Sequence, residues 1–155
     1  MVEMDILGVR IELPTNQPLI LLKEKGGERV LPIWIGVSEA VAIALKLQNV
    51  KTARPMTHDL LKDILETMDV KAEKVVIDDI VDGTFYATLT LIDTKNHYEI
   101  SSRPSDAIAL AVRTATPVFA EDKVLDEASI VLESIEEEVK RFRDFLDEVG
   151  PEDFT

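Results

Sequence analysis

One alternating stretch beside a tight turn constrains the fold of this chain more than any other feature. From Thr84 to Leu91, apolar side chains alternate with threonine and tyrosine. A repeat of two is typical of a β-strand that buries one face. Asp82-Gly83 supplies a turn before this strand, and residues 74–81 on the other side of the turn are expected to form its partner strand. The pattern predicts an antiparallel hairpin, and residues 98–101 are expected to add a third strand.

A second β unit is predicted near the N-terminus. Residues 4–13 alternate loosely before Pro14, and the apolar runs 19–23 and 30–35 flank the turn formed by Gly26 and Gly27. Pro32 lies inside the second of these runs, and proline has no N–H to donate to a neighbouring strand. We therefore expect Pro32 at a sheet edge or a bulge.

Three helices are predicted between and after these strands. Ser38 is expected to cap a helix over 39–48, which is apolar nearly all round and should be buried. Pro104 should open another helix over 105–113. The third begins at Thr57 and carries the apolar stripe of an amphipathic surface helix, formed by Leu60, Leu61, Ile64, Leu65 and Met68. Together the elements predict an α+β fold with a mixed or antiparallel sheet, built from hairpins and covered by helices.

The C-terminal part of the chain has a different pattern. From about Ser129 to Val149 it predicts a charged amphipathic helix with apolar residues at heptad spacing, namely Ala128, Leu132, Ile135, Val139, Phe142, Leu146 and Val149. We divide the chain into a domain over 1–127 and an acidic helical extension over 128–155. The extension is compatible with packing on its own domain, with a dimerisation seam, or with a segment that is mobile or binds another protein.

Composition excludes several classes of protein. The chain of 155 residues has no cysteine, so disulfides, thiolate metal sites and a cysteine nucleophile are excluded. No apolar run approaches the length of a membrane span, and the acidic N-terminus does not have the pattern of a signal peptide, so we expect a cytoplasmic protein without membrane contact. The net charge is −13, which disfavours binding to nucleic-acid backbones at long range unless a local patch or a metal ion overrides it.

The first candidate site is the segment from Arg54 to Asp59. With His58 and Asp59 at a helix N-terminus beside Arg54, the segment could bind a phosphate and transfer a proton. The alternative is structural: Thr57 caps the helix, Asp59 complements the helix dipole and His58 is merely exposed.

The second candidate is the run Arg103, Pro104, Ser105 and Asp106, which again places an arginine at a helix start, where anions bind well. Its structural alternative is that Ser105 or Asp106 caps the helix and Arg103 pairs with a carboxylate. Two such helix starts raise the prospect of a shared site.

Asp78, Asp79 and Asp82 form a third cluster, since carboxylates at strand ends can hold Mg²⁺ or Mn²⁺. The side-chain repeat of two is expected to place Asp78 and Asp79 on opposite faces, so only one of them should face a given partner. Asp82 is explained by the Asp-Gly turn alone.

Six segments in order resemble the bifunctional nuclease domain family. They are residues 21–24 (LLKE), 31–36 (LPIWIG), 39–40 (EA), 54–60 (RPMTHDL), 82–87 (DGTFYA) and 103–110 (RPSDAIAL). The resemblance covers about residues 1–130. It implies nuclease activity on both RNA and DNA, and it points to the two Arg-Pro segments as the positions that carry function.

We combine these observations into one hypothesis, a phosphodiester hydrolase. Arg54, Thr57, Arg103 and Ser105 would bind phosphate, His58 would be the general acid or base, and Asp59 and Asp106 would orient His58 or hold Mg²⁺ or Mn²⁺. The rival hypothesis is a non-catalytic regulatory module that binds a small anion or a protein partner. A homodimer is expected in either case, because apolar helix faces are plentiful for a short chain.

Overall fold

The computed structural model describes residues 1–12 and 15–131. Its strands are β1 (Val2–Glu12), β2 (Gln17–Glu24), β3 (Arg29–Trp34), β4 (Lys71–Val81), β5 (Thr84–Ile92), β6 (His97–Ser102), β7 (Val118–Ala120) and β8 (Ile130–Val131). Its helices are α1 (Val37–Leu47), α2 (Thr57–Thr67), α3 (Pro104–Thr114) and α4 (Asp122–Ala128). The α+β class predicted from the sequence is confirmed.

The described strands form one mixed sheet in the order β6-β5-β4-β7-β1-β2-β3-β8. All neighbours are antiparallel except β4 and β7, which run parallel. The short strand β7 lies in the middle and joins the two β units that the sequence predicts separately. The connection from β4 to β7 passes through α3, as a parallel pair requires a crossover.

Both predicted hairpins are present. In β5, Ala87, Leu89 and Leu91 are buried, as the alternation indicates, and Asp82 and Gly83 adopt the positive φ angles of a tight turn, 50° and 79°. Pro32 pairs with Leu21 of β2, whereas β8 pairs only with Arg29 and Val30. Within the described residues, Pro32 therefore lies where β3 is an edge, as predicted.

Helix α3 lies at the centre of the helical layer. It contacts α1 on one side, α2 on the other, and strands β4 and β5 below. Ile108 of α3 is fully buried in the main core, which also includes Ile77 of β4 and Ile20 of β2. Helix α3 therefore links both halves of the sheet to α1 and α2.

The predictions for the other helices need correction. The N-cap of α1 is Gly36 and not Ser38, which lies in the first turn. Helix α1 is not buried all round: Ala40, Ala42 and Ile43 are buried, whereas Val37, Val41 and Leu47 are exposed. The cause is that α1 meets the sheet on one side and α3 on another, which leaves the remaining face uncovered.

Helix α2 buries little of its apolar stripe. Leu65 packs against the core, but Leu60, Leu61, Ile64 and Met68 are exposed. A helical stripe predicts a buried face only when a partner covers it. Here α3 contacts α2 without covering the stripe.

The C-terminal prediction begins incorrectly. Ser129 follows the end of α4, a helix that the sequence analysis missed, and Ile130 and Val131 form β8. Seven residues are too few to show a clear helical repeat. The rest of the predicted heptad helix, residues 132–149, lies outside the described residues, as does the remainder of the predicted extension to residue 155.

The position of Ile108 leads to a stability prediction. Ile108→Ala removes methyl and methylene groups from a site with no solvent exposure. We expect the free energy of unfolding to fall by about 3 kcal/mol, measured by urea denaturation. The control Ile11→Ala changes a side chain that is 65% exposed and should cost less than about 1 kcal/mol. Equal losses in the two variants would contradict the assignment of the core.

Candidate functional site

The first turn of α2 turns a histidine inward. The N-cap of α2 is Met56, and its backbone N–H donates a hydrogen bond of 3.0 Å to the carboxylate of Asp59. Thr57 is therefore the first helical residue and not the cap, contrary to the structural alternative considered above. His58 is only 6% exposed, so the expectation of a merely exposed histidine is also wrong.

His58 contacts the first turn of α3. Its Nε2 lies 3.0 Å from Oδ1 of Asp106. Arg103 is the N-cap of α3 and makes no side-chain cap, so neither Ser105 nor Asp106 has the capping role considered from the sequence. Pro104 occupies the first position of the helix, where its missing N–H costs nothing. The two helix starts are thus joined by one hydrogen bond between side chains.

Arg103 extends this contact to a third helix. Its Nε and Nη2 lie 3.0 and 2.8 Å from Oδ2 of Asp106, and Nη2 also lies 2.8 Å from Oε1 of Glu39 in α1. Glu39, His58, Arg103 and Asp106 are called the four-residue cluster below. Sequence reasoning gave Glu39 no role, although it belongs to one of the six family-like segments.

Asp106 keeps its negative charge inside the four-residue cluster. Burial by itself raises the pKa of Asp106, but hydrogen bonds from His58 and Arg103 outweigh burial and hold the pKa below its usual value. Asp106 is therefore ionised at neutral pH. Because an ionised carboxylate can only accept, Nε2 of His58 carries the proton of their hydrogen bond.

A second ion pair lies beside the cluster. Nε of Arg113 in α3 lies 2.7 Å from Oδ1 of Asp59. The other guanidinium nitrogens donate to the carbonyl oxygens of Ala109, at 2.7 Å, and Ala42, at 2.9 Å. The side chain of Arg113 is only 4% exposed. Asp59 therefore neutralises a buried cation, a role that could not be assigned from sequence because Arg113 reads as an ordinary basic residue at a helix end.

The two arginines of the Arg-Pro segments do not share a cavity. Arg54 is exposed and lines a cavity of about 340 Å³ with Asp59 and Arg113. Arg103 and Ser105 line another cavity, of about 290 Å³, and no residue lines both. The hydrogen bond between His58 and Asp106 brings the two segments together, but their arginines line different cavities.

The third cluster departs from its prediction. A β-bulge shifts the register of β4 between Ile77 and Asp79, so the strict alternation of faces fails there. Asp78 and Asp79 both line one cavity of about 690 Å³. Asp78 accepts a hydrogen bond from the hydroxyl of Thr88, and Asp79 lies 3.6 Å from Nζ of Lys123. The prediction that only one of the adjacent carboxylates can face a given partner is wrong.

The predicted carboxylates do not fit a divalent metal site in this arrangement. Asp59 is paired with Arg113, and Asp106 with His58 and Arg103. Across residues 1–12 and 15–131, no three His, Asp or Glu side chains stand close enough to hold an ion. Mg²⁺ prefers several oxygen ligands that are not already neutralised.

Comparison of the sequence with known proteins identifies the family of this chain. Residues 20–133 match the model of the bifunctional nuclease domain. The chain belongs to the bifunctional nuclease domain family. The matched range contains all four residues of the cluster, Arg113 and both Arg-Pro segments.

Relatives of this bifunctional nuclease domain fall into two groups. An uncharacterized protein of Mycobacterium tuberculosis is 44% identical over 98% of this chain and 97% of its own length. Bifunctional nuclease 2 of Oryza sativa subsp. japonica is 33% identical over 72% of this chain, and bifunctional nuclease 1 of Arabidopsis thaliana is 33% identical over 65%. The chain spans about a third of the length of these two plant proteins.

Within residues 1–12 and 15–131, no helix has the length and hydropathy of a membrane-spanning segment.

The pair of Asp59 and Arg113 leads to a second prediction. Asp59→Asn removes the charge that neutralises a buried guanidinium. We expect a loss of about 2 to 3 kcal/mol in the free energy of unfolding, since Arg113 keeps two carbonyl acceptors. Asp63→Asn, at an exposed position of the same helix, is the matched control and should change stability by less than about 0.5 kcal/mol.

The same comparison has a pH dependence. Hydrogen bonding from the Met56 N–H, and then from Arg113, holds the pKa of Asp59 below its usual value. Its stabilisation is therefore complete above the unfolded-state pKa of about 3.9 and is lost as pH falls through the lower folded-state pKa. Urea denaturation from pH 3 to 7 should show the difference between wild type and Asp59→Asn shrinking at the acidic end. A difference that stays constant with pH would contradict this account.

Proposed function

We propose that this protein is a nuclease that hydrolyses phosphodiester bonds in RNA and DNA, with the four-residue cluster as its active centre. The observation that carries the proposal is the hydrogen-bonded series from His58 through Asp106 to Arg103, which lies where the N-termini of α2 and α3 meet. Membership of the bifunctional nuclease domain family supports the reaction class.

Arg103 is proposed to bind the scissile phosphate. Its side chain is 68% exposed, the most accessible of the cluster. A guanidinium can form two parallel hydrogen bonds to a phosphate. The phosphate would compete with Glu39 and Asp106 for these donors, and exposed ion pairs of this kind hold their partners weakly. Ser105 lines the same cavity and is proposed to contact the same substrate group.

His58 is proposed as the general acid or base, oriented by Asp106. Because Nε2 donates to Asp106, the nitrogen left for proton transfer is Nδ1. A carboxylate that fixes one imidazole nitrogen while the other reacts is a common arrangement in hydrolases. The side chain of His58 is only 8% exposed, so this mechanism requires neighbouring side chains to move on substrate binding and open the ring to the substrate.

The remaining predicted residues have other positions in the proposal. Asp59 orients α2 through Arg113 and does not face the phosphate bound by Arg103. Arg54 lines a different cavity, so it takes no part in holding the scissile bond, and the exposed Thr57 is proposed to contact the substrate only at the rim. Mg²⁺ or Mn²⁺ stays a prediction, and the proposed steps do not depend on it.

A non-catalytic module that binds an anion is the second candidate. It is favoured by one observation: each charged group of the cluster already has an opposite partner, and the histidine is buried. A cluster with paired charges and a buried histidine is expected of a structural network as much as of an active site without substrate.

Cleavage assays separate the two candidates. Purified wild type, His58→Ala and Arg103→Ala would be incubated with single-stranded RNA and DNA in Mg²⁺, Mn²⁺ or EDTA. Loss of the general acid or base should lower the rate by about a hundredfold or more, and loss of the phosphate donor by a similar factor. The EDTA arm tests the metal prediction.

Arg10→Ala is the matched control for Arg103→Ala, because Arg10 is an exposed arginine on β1. Circular dichroism melting of each variant shows that it is folded. Full activity in folded His58→Ala and Arg103→Ala, or equal activity in all samples, would reject the nuclease proposal and favour the binding module.

We also propose a homodimer formed through α2. Leu60, Ile64 and Met68 are 53%, 44% and 67% exposed and lie along one stripe. Large exposed apolar stripes mark interaction surfaces. A second copy packed on the same stripe would form a twofold contact, in which each α2 covers the exposed apolar side chains of the other. We keep the cytoplasm as the predicted location.

Light scattering tests the oligomeric state. At micromolar concentration the wild type should have the mass of two chains, and Ile64→Glu should have the mass of one, since a charge in an apolar interface costs several kcal/mol. Ile11→Glu, an exposed isoleucine on β1, should remain dimeric. A wild type with the mass of one chain would refute the proposal.

A further inference from the structure

The cavity beside Arg54 is a separate feature of this protein. It lies between the C-terminal end of α1 and the N-terminal end of α2, along the connection over residues 48–56, and is called the α1–α2 cavity here. Its volume of about 340 Å³ lies within the range of small-molecule sites. It shares no lining residue with the cavity of Arg103.

The charge of the α1–α2 cavity is opposite to that of the chain. Lys46, Lys51, Arg54 and Lys62 line it, and the single carboxylate in its lining, Asp59, is already paired with Arg113. Lys62 lies 3.7 Å from Glu66. Among the described residues, Lys46, Lys51 and Arg54 have no carboxylate within 4 Å. In a chain of net charge −13, this concentration of cations favours an anion locally.

The connection over residues 48–56, which carries Lys51 and Arg54, is held in place by its own hydrogen bonds. The hydroxyl of Thr52 donates to the carbonyl of Arg54 at 2.7 Å. At the end of α1, the N–H groups of Asn49 and Val50 donate to the carbonyls of Lys46 and Leu45. These carbonyls are therefore satisfied and do not repel an anion as open acceptors would. A fixed connection loses less conformational entropy when a ligand binds.

One part of the lining is apolar. Leu45, Val50, Pro55 and Met56 contribute side chains to the same cavity. Val50 is 50% exposed although it is apolar. A free inorganic anion would leave this wall in contact with water, whereas a ligand with a flat ring would cover it.

We propose that the α1–α2 cavity binds a small phosphate monoester that carries a flat ring, such as a nucleoside monophosphate. The phosphate lies against Arg54 and Lys51, with Lys46 and Lys62 adding charge, and the ring covers the apolar wall. Binding here does not depend on cleavage at the four-residue cluster, so the two proposals fail separately.

Isothermal titration calorimetry with adenosine monophosphate tests this proposal. The wild type should bind the nucleotide, and Arg54→Ala and Lys51→Ala should each raise the Kd by about tenfold, the effect of losing one charge-assisted hydrogen bond. Raising the salt concentration should also weaken binding, since exposed charges are screened. Arg10→Ala and Lys95→Ala, which remove exposed cations elsewhere, should bind as the wild type does.

Two further ligands test the contributions of the phosphate and of the ring separately. Inorganic phosphate should bind more weakly than the nucleotide, because it leaves the apolar wall open, and adenosine should bind more weakly because it has no charge. Equal affinity for phosphate and the nucleotide would overturn the role of the apolar wall. No binding by the wild type, or equal affinity in Arg54→Ala, would overturn the site itself.

Discussion

The helical layer depends on the ion pair and the hydrogen bonds made by the buried guanidinium of Arg113. It lies at the end of α3 and reaches three helices at once, through Asp59 in α2, the carbonyl of Ala42 in α1 and the carbonyl of Ala109 in its own helix. A buried charge is tolerated only when its donors are satisfied. Arg113 meets this condition only if α1 and α2 both stand at fixed positions beside α3. The pair therefore fixes where the helices lie more than it adds net stability.

The four-residue cluster depends on this arrangement. His58 precedes Asp59 in α2, so fixing the carboxylate of Asp59 on Arg113 also fixes the ring of His58 over the first turn of α3. There Oδ1 of Asp106 lies 3.0 Å from Nε2 of His58, and Arg103 donates to the other oxygen of the same carboxylate. The buried pair of Asp59 and Arg113 thus supports the hydrogen-bonded series from His58 through Asp106 to Arg103. Arg103, at the end of this series, is exposed. The exposed fractions of the two arginine side chains, 4% for Arg113 and 68% for Arg103, express this division.

Sequence patterns predicted the elements well and the site only in part. Alternation found β5 and its turn because one face of that strand is buried. The same rule failed at Asp78, because a bulge shifts the faces and leaves no mark in the sequence. His58, Arg103 and Asp106 are predicted from their positions at helix starts, and Asp106 is among the residues expected to orient His58, but the pairing of Arg103 with Glu39 is not predicted. Glu39 and Arg113 lie 64 and 54 residues from the side chains they pair with, and no local pattern reports contacts over such distances.

The net acidity of the chain constrains where a nucleic-acid phosphate can bind. Residues 121–155 carry 13 acidic and 4 basic side chains, so most of the excess charge lies in the last part of the sequence. A field of this sign opposes a polyanion at long range but is screened within about 8 Å at physiological ionic strength. Recognition must then come from short-range contacts, and the described residues offer two different kinds. Arg103 is shared with carboxylates and must exchange partners to bind phosphate, whereas in the described part of the chain no carboxylate lies within 4 Å of Lys51 or Arg54. The exchange at Arg103 suits a phosphate that is bound transiently and cleaved, and the open cations of the α1–α2 cavity suit one that is held.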